Sequence, residues 1–418
     1  MTNVFDYVKT ERRPFTDQDA PFNEIDALVF SSLSYEDVTA FSPTITLDED
    51  RETSFPARLR AFEPDHPWAW LKGLVREPFD SVTLAEAKTS LHDGEGTEAD
   101  DLDTQMVGLV NPNRTHDFFD AVADSPRFAA TRLGAVVEHV NPGEQTQFAA
   151  MTFMLPDGRG WNGKPRVKDP TRGGTLVISF RGTDDSLIGW KEDFNMAFQY
   201  PVPAQRAASA YLDMVARLWR GNIVLTGHSK GGNLAVYAAM NATDQVQNRI
   251  RHVYSLDGPG FPPNVVTSRQ YLDIQPKVTK IVPSSSIVGQ IFETPEPCRV
   301  VTSDSDGIMQ HFTFSWQVEG DHFVSEPDLS ASSQLFNESL NNWMQGLTVE
   351  QRERAVDALF AVLHANGATT FSEVIAGFPG SIPAMIGSML GLSAQDRKHL
   401  LEAVAILVKA TIARNSKR

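Results

Sequence analysis

An α/β fold with a mostly parallel sheet is the class that this 418-residue chain predicts. Three observations lead there. From about residue 133, short β-branched runs alternate with stretches of helical period. A G-x-S-x-G pentapeptide, Gly227 to Gly231, joins one such run to one such helix. Turn signals such as Pro156-Asp157-Gly158 punctuate the runs. An acidic, cap-like region over 1–130 and a helical appendage over 335–418 are expected to flank a core over 131–334.

Taken in order, the segment 22–35 spaces its apolar residues as a helix packing on a core would. Residues 46–105 carry acidic runs at 48–50 and 98–103 on either side of Trp68 and Trp70, and read as an insertion or cap. Strands are expected at 133–140, 148–155 and 175–180, the last two separated by a loop rich in Gly, Pro and Lys. An amphipathic helix over 204–220 leads to a strand over 223–226 and a helix from Lys230 to about 240. Further strands fall at 252–256, 278–282 and 299–302. Beyond 335 the chain reads as helical. Thr348 with Gln351 forms a capping box for a helix that stops at Asn366-Gly367, and Ser393 with Asp396 opens another whose apolar Leu400, Val404, Leu407 and Val408 share one face. The short apolar piece 382–392 suits a buried core helix better than a lipid-facing lid.

Composition narrows the function classes. A hydrophobic share of 41% and a charged share of 22% are ordinary for a globular protein. The net charge of −16 argues against nucleic acid and anionic membrane surfaces as bulk partners, since either needs a face rich in Lys and Arg. One cysteine, Cys298, excludes an internal disulfide and a multi-thiolate metal site, and fits a reducing compartment. The first residues lack the apolar stretch of a signal peptide, and no run reaches the ~18–20 apolar residues of a membrane span. A soluble cytoplasmic protein is expected, with at most transient membrane contact. Oligomeric state is not encoded in any pattern here.

The pentapeptide carries the chemistry. A strand that ends in a sharp turn at Ser229, with Gly227 and Gly231 letting strand and helix pass closely, is a nucleophile elbow. It lifts the serine hydroxyl above the sheet and aims the free N–H groups of the next helix at a developing oxyanion. The N–H of Lys230 is one donor. A second is expected from Thr183, because the strand over 175–180 exits through Arg181-Gly182-Thr183; Trp190 and Asp193 read as pins for that loop. His228 reads as packing beside the sheet. Lys230 sits unfavourably at a helix N-terminus, which leaves two readings of its side chain: attraction of an anionic substrate group, or a solvated ammonium.

Phe180-Arg-Gly-Thr, then Trp190 and Asp193, then Gly-His-Ser-Lys-Gly-Gly resembles the fungal class-three triacylglycerol lipases over about residues 130–315. Over most of its length the chain more closely resembles the Mbeg-like proteins, a bacterial family of lipase-like α/β hydrolases. The shared stretches include Asn3-Val-Phe-Asp-Tyr, Phe22-Asn-Glu-Ile-Asp-Ala-Leu, the elbow Lys, Leu256-Asp-Gly-Pro-Gly-Phe, Ser285-Ser-Ile-Val-Gly and Phe314-Ser-Trp-Gln-Val. The resemblance implies an α/β-hydrolase fold and its reaction class, and no particular substrate.

In that fold the triad runs Ser, acid, His along the chain. Five histidines follow Ser229. His252 opens a strand and His364 and His399 lie in tail helices, which leaves His311, on a loop past the last strand, as the expected base and His322 as the alternative. The expected acid is Asp257, in a tight turn at a strand's C-terminal edge, where the pancreatic-type lipases carry theirs. The class-three position, in Val282-Pro-Ser-Ser-Ser, holds no carboxylate; Asp304, Asp306 and Glu293 are reserves. Ser229, Asp257 and His311 with the N–H groups of Thr183 and Lys230 imply a serine esterase or lipase acting on a small acyl ester or lipid, without metal or organic cofactor. The alternative is a catalytically inactive binding or scaffold protein on the same fold.

Overall fold

A computed structural model describes residues 2–47, 80–94, 112–141, 146–156, 174–184, 186–292 and 294–364, with short pieces at 64, 67, 160–161, 164–165, 367, 369–370, 373, 387, 393–399 and 401–402. Trp68, Trp70, the acidic run 98–103, most of the apolar piece 382–392, Glu293 and the positions Leu400, Val404, Leu407 and Val408 lie outside the described residues.

The structure is a mixed α/β fold around one eight-stranded sheet. Its strands are β1 (Ser81–Thr83), β2 (Arg132–Asn141), β3 (Thr146–Met154), β4 (Thr175–Phe180), β5 (Asn222–His228), β6 (Ile250–Leu256), β7 (Val278–Pro283) and β8 (Cys298–Val301), and they lie side by side in chain order. The pairs from β1 to β4 are antiparallel and those from β4 to β8 are parallel. The main helices are α1 (Val4–Thr10), α2 (Glu24–Leu33), α3 (Leu84–Gly94), α4 (Pro112–Asp124), α5 (Leu187–Asn195), α6 (Pro203–Leu218), α7 (Lys230–Asn241), α8 (Ala331–Gln345) and α9 (Val349–Leu363).

Continuous apolar runs in the parallel strands reflect burial on both faces. Alternate residues divide between two cores. Leu176, Ile178, Phe180, Ile223 and Leu225 pack with Tyr211 and Leu212 of α6 and Leu234 of α7, while Val177, Val224, Leu256 and Ile281 pack with Ile25, Leu28 and Phe30 of α2 and Phe118 of α4. Each such buried side chain contributes ~1.5–3 kcal/mol. Helix α2 is buried along its whole length, and Thr226 of β5 donates its hydroxyl to the Ala27 carbonyl at 3.0 Å. The segment 1–130 thus supplies a strand to the sheet edge and a helix to its face.

A buried ion pair anchors that helix. The Arg127 guanidinium donates to both oxygens of Asp26, which also accepts from the Tyr7 hydroxyl at 2.8 Å, and Arg127 reaches the carbonyls of Arg13, Ala20 and Pro21. Neither side chain of the pair is exposed.

At the C-terminal side, Thr348 and Gln351 form the expected capping box of α9. Val356 and Phe360 of α9 pack on Leu187 of α5, Arg352 donates to the Ala197 carbonyl at 3.2 Å, and Lys191 pairs with Asp357 at 2.9 Å. No helix among the described residues is long and apolar enough to cross a membrane.

Candidate active site

Between β5 and α7 the chain turns through Ser229 at φ 59° and ψ −134°, a conformation an L-residue holds only when its surroundings impose it. Glycines make the turn feasible. A Cβ on Gly227 would lie 2.2 Å from the Gly231 carbonyl, and one on Gly231 would lie 2.0 Å from the Phe180 oxygen. The Ser229 amide donates to the Leu256 carbonyl at 2.9 Å, so the elbow is tied to β6 as well as to its own strand.

Asp257, the residue after β6, also has a positive φ, 47°, and is fully buried. Its amide donates to the Ile281 carbonyl at 2.7 Å. One carboxylate oxygen lies 2.6 Å from His311 Nδ1; the other accepts from the Ser286 hydroxyl and, at 3.2 Å, from the Gly289 amide. Burial alone would raise the carboxyl's pKa, but the hydrogen bond and charge of His311 and the Ser286 hydroxyl hold it below the usual range. Ser286 belongs to the serine run that follows β7, so that run supplies Asp257 with a donor.

His311 closes a short 3₁₀ turn, Gly307–His311, beyond β8. The turn is clamped by its neighbour Gln310, whose side-chain oxygen accepts from the Ser285 amide at 2.7 Å and whose carbonyl accepts from Trp316 Nε1 at 2.7 Å. The His311 carbonyl accepts from His228 Nε2 at 2.8 Å. A carbonyl can only accept, so Nε2 of His228 carries hydrogen. Burial, with the neighbouring His311, lowers the His228 pKa to about 3, so the ring is neutral and its Nδ1 accepts. The Tyr35 hydroxyl, 3.0 Å away, is the donor.

Ser229 and His311 line one cavity of about 40 Å³ together with Tyr35, Thr183, Trp190, His228 and Phe314. No hydrogen bond joins the Ser229 hydroxyl to His311 among the described contacts. Thr183 enters the same cavity from the end of β4, and its hydroxyl donates to Asp193. Asp193 is pushed up to about 6, first by burial, against the pull of Lys230 and the Thr183 hydroxyl.

Both sequence readings of the Lys230 side chain are overturned. It is 1% exposed and turns away from the cavity, with Nζ 3.1 Å from Glu192 Oε2 and 3.1 Å from the Gln147 carbonyl. Asp193 Oδ1 lies 3.7 Å off. A fully buried carboxylate, Glu192, draws the ammonium inward.

The alternatives lie elsewhere. His322 is exposed, on a two-stranded ribbon beside Asp321. Asp304 accepts from Gln317 Nε2 at 2.6 Å, Asp306 precedes the 3₁₀ turn, and His252 bonds Thr279 at 2.7 Å. Among the described residues no group of three His, Cys, Asp or Glu side chains is placed to hold a metal ion. Sequence reasoning misses Tyr35, Ser286, Gln310, Gln147 and Glu192. Of these only Ser286 carries a local signal, the serine run after β7.

A family model described as Mbeg1-like matches residues 122–361, a segment that holds every one of these residues except Tyr35. No curated protein and no solved structure matches the chain.

Proposed function

The chain belongs to the Mbeg1-like family, and on that basis we propose that it is a serine hydrolase of α/β-hydrolase fold, lipase-like in its elbow and oxyanion loop, that cleaves a carboxylic ester. The observation that carries the reading is the Asp257 carboxylate bonded to His311 Nδ1 at 2.6 Å in a site whose cavity also holds Ser229 in a strained turn.

His311 Nε2 takes the Ser229 proton as the oxygen attacks the acyl carbonyl, and the amides of Thr183 and Lys230 receive the oxyanion. Collapse of the tetrahedral intermediate breaks the ester C–O bond, and imidazolium returns the proton to the leaving alcohol. Water, deprotonated by the same imidazole, then attacks the acyl-enzyme, and the imidazolium returns that proton to Ser229 Oγ as the carboxylic acid leaves. Asp257 holds the tautomer with hydrogen on Nδ1, which leaves Nε2 free to accept. The open contact between Ser229 and His311 fits a resting site that tightens on substrate. Thioesters and amides would use the same groups. The single cysteine supports a reducing compartment such as the cytoplasm.

Fluorophosphonate labelling with mass mapping tests the reading. Modification at Ser229 that is lost in Ser229→Ala and falls sharply in His311→Ala supports it. Folded wild-type protein that stays unlabelled would instead favour a non-catalytic binding protein.

A further inference from the structure

We propose that Lys230 is a positioning residue: its buried ammonium ties the nucleophile helix to the loop carrying Thr183 and thereby fixes the spacing of the two backbone amides that receive the oxyanion. The inference rests on the hydrolase reading of the site.

The argument begins with what the lysine costs. A cation in the first turn of α7 opposes the helix dipole, and an ammonium that is 1% exposed has given up its water. An apolar side chain would fill the same space without either penalty. The contacts that offset the cost run to the oxyanion loop by two routes. Through the carboxylates, Nζ meets Glu192 at 3.1 Å and faces Asp193 at 3.7 Å, and Asp193 accepts the Thr183 hydroxyl. Through the backbone, Nζ donates to the Gln147 carbonyl at 3.1 Å, and the Gln147 side chain accepts the Asp184 amide at 3.2 Å. Glu192 closes the frame by accepting the Gln147 amide at 3.1 Å and the Ala204 amide at 2.9 Å.

Lys230 therefore joins α7, β3, α5 and the exit of β4, the elements that carry or flank both amides. Its own amide sits at the elbow, while its side chain is linked to Thr183 through Asp193 and to Asp184 through Gln147. An oxyanion hole depends on donors held in place before charge develops, and misplacement by about 1 Å costs on the order of 10²-fold. A brace in a dry interior suits that demand, because the cation–carboxylate attraction is screened much less there than in water.

The test compares wild type with Lys230→Met/Glu192→Gln, which removes both charges so that neither is left buried alone, and with Glu192→Gln, which keeps the shape and an acceptor oxygen. Each is checked for folding by circular dichroism, then assayed on a short p-nitrophenyl ester and with a trifluoromethyl ketone that forms a tetrahedral adduct. The expected result is a kcat lower by about 10- to 100-fold, a KM within threefold, and ketone affinity weakened in step with kcat/KM. A folded variant of either kind with wild-type kcat and ketone affinity would overturn the brace, leaving only a contribution to stability. Failure of the hydrolase reading looks different: the wild type itself would neither turn over ester nor label at Ser229.

Discussion

Replacing Asp257 by asparagine changes one atom, and the surroundings dictate how the new amide must sit. The Gly289 amide, 3.2 Å from Oδ1, can only donate, so the oxygen of the new side chain stays on that side, next to the Ser286 hydroxyl. The NH₂ group is then left facing His311 Nδ1, 2.6 Å from the present carboxylate oxygen. Nδ1 becomes the acceptor and the ring proton moves to Nε2, the nitrogen that on the hydrolase reading takes the Ser229 proton. The geometry survives and the tautomer is wrong. Loss of the correct tautomer in a serine triad lowers kcat by about 10⁴-fold, or about 5 kcal/mol of activation free energy. Steady-state hydrolysis of a short p-nitrophenyl ester by Asp257→Asn, with thermal unfolding as a control, reads the effect. A folded variant that retains kcat within tenfold of wild type would refute the assignment of His311 as base and Asp257 as its partner.

Three further outcomes are expected. In Gly227→Ala the added methyl would meet the Gly231 backbone at 2.2 Å, so unfolding in urea should show a loss of about 3 kcal/mol or more; Gly320→Ala, with a positive φ and open space, should lose only about 1 kcal/mol. Because the folded Asp193 carboxyl holds its proton up to about 6, above the unfolded value, its contribution to stability falls as pH rises from about 4 to about 6. Asp193→Asn should therefore gain on wild type across that window, by about 1–3 kcal/mol, and a difference that stays constant between pH 4 and 7.5 would contradict the buried charge. Arg127→Met leaves Asp26 buried without its cation and should cost about 3–5 kcal/mol in urea unfolding; a change below 1 kcal/mol would mean that Asp26 is held by Tyr7 and its amide contacts alone.

The strands of the sheet are legible because burial on both faces writes itself into the chain as β-branched runs bounded by turn residues. Strand β4 matches its expected span to the residue, and β5 extends the expected 223–226 by one residue before and two after. Strand β1 is invisible for the opposite reason: three residues carry no period, and only their pairing with Arg132, Leu133 and Gly134 makes them a strand. In the site, Ser229, Asp257 and His311 can be picked out because each stands at a turn beyond an apolar run. The surroundings that set their behaviour cannot. Glu192 is 38 positions from the lysine it neutralises, Gln147 is 83 away, and Tyr35 is 193 from the histidine whose Nδ1 accepts its hydroxyl hydrogen. A lysine after a catalytic-looking serine reads as solvated until the fold brings carboxylates beneath it.

The packing of α9 on α5 bears on the order in which the molecule can be made. During synthesis Ser229, Asp257 and His311 leave the ribosome well before residues 349–363, which supply Val356 and Phe360 to the helix carrying Glu192 and Asp193. Until α9 emerges, the face of α5 that carries Leu187 lacks its apolar cover. On the hydrolase reading, a nascent chain therefore holds Ser229, Asp257 and His311 before the helix that carries Glu192 and Asp193 has its full packing.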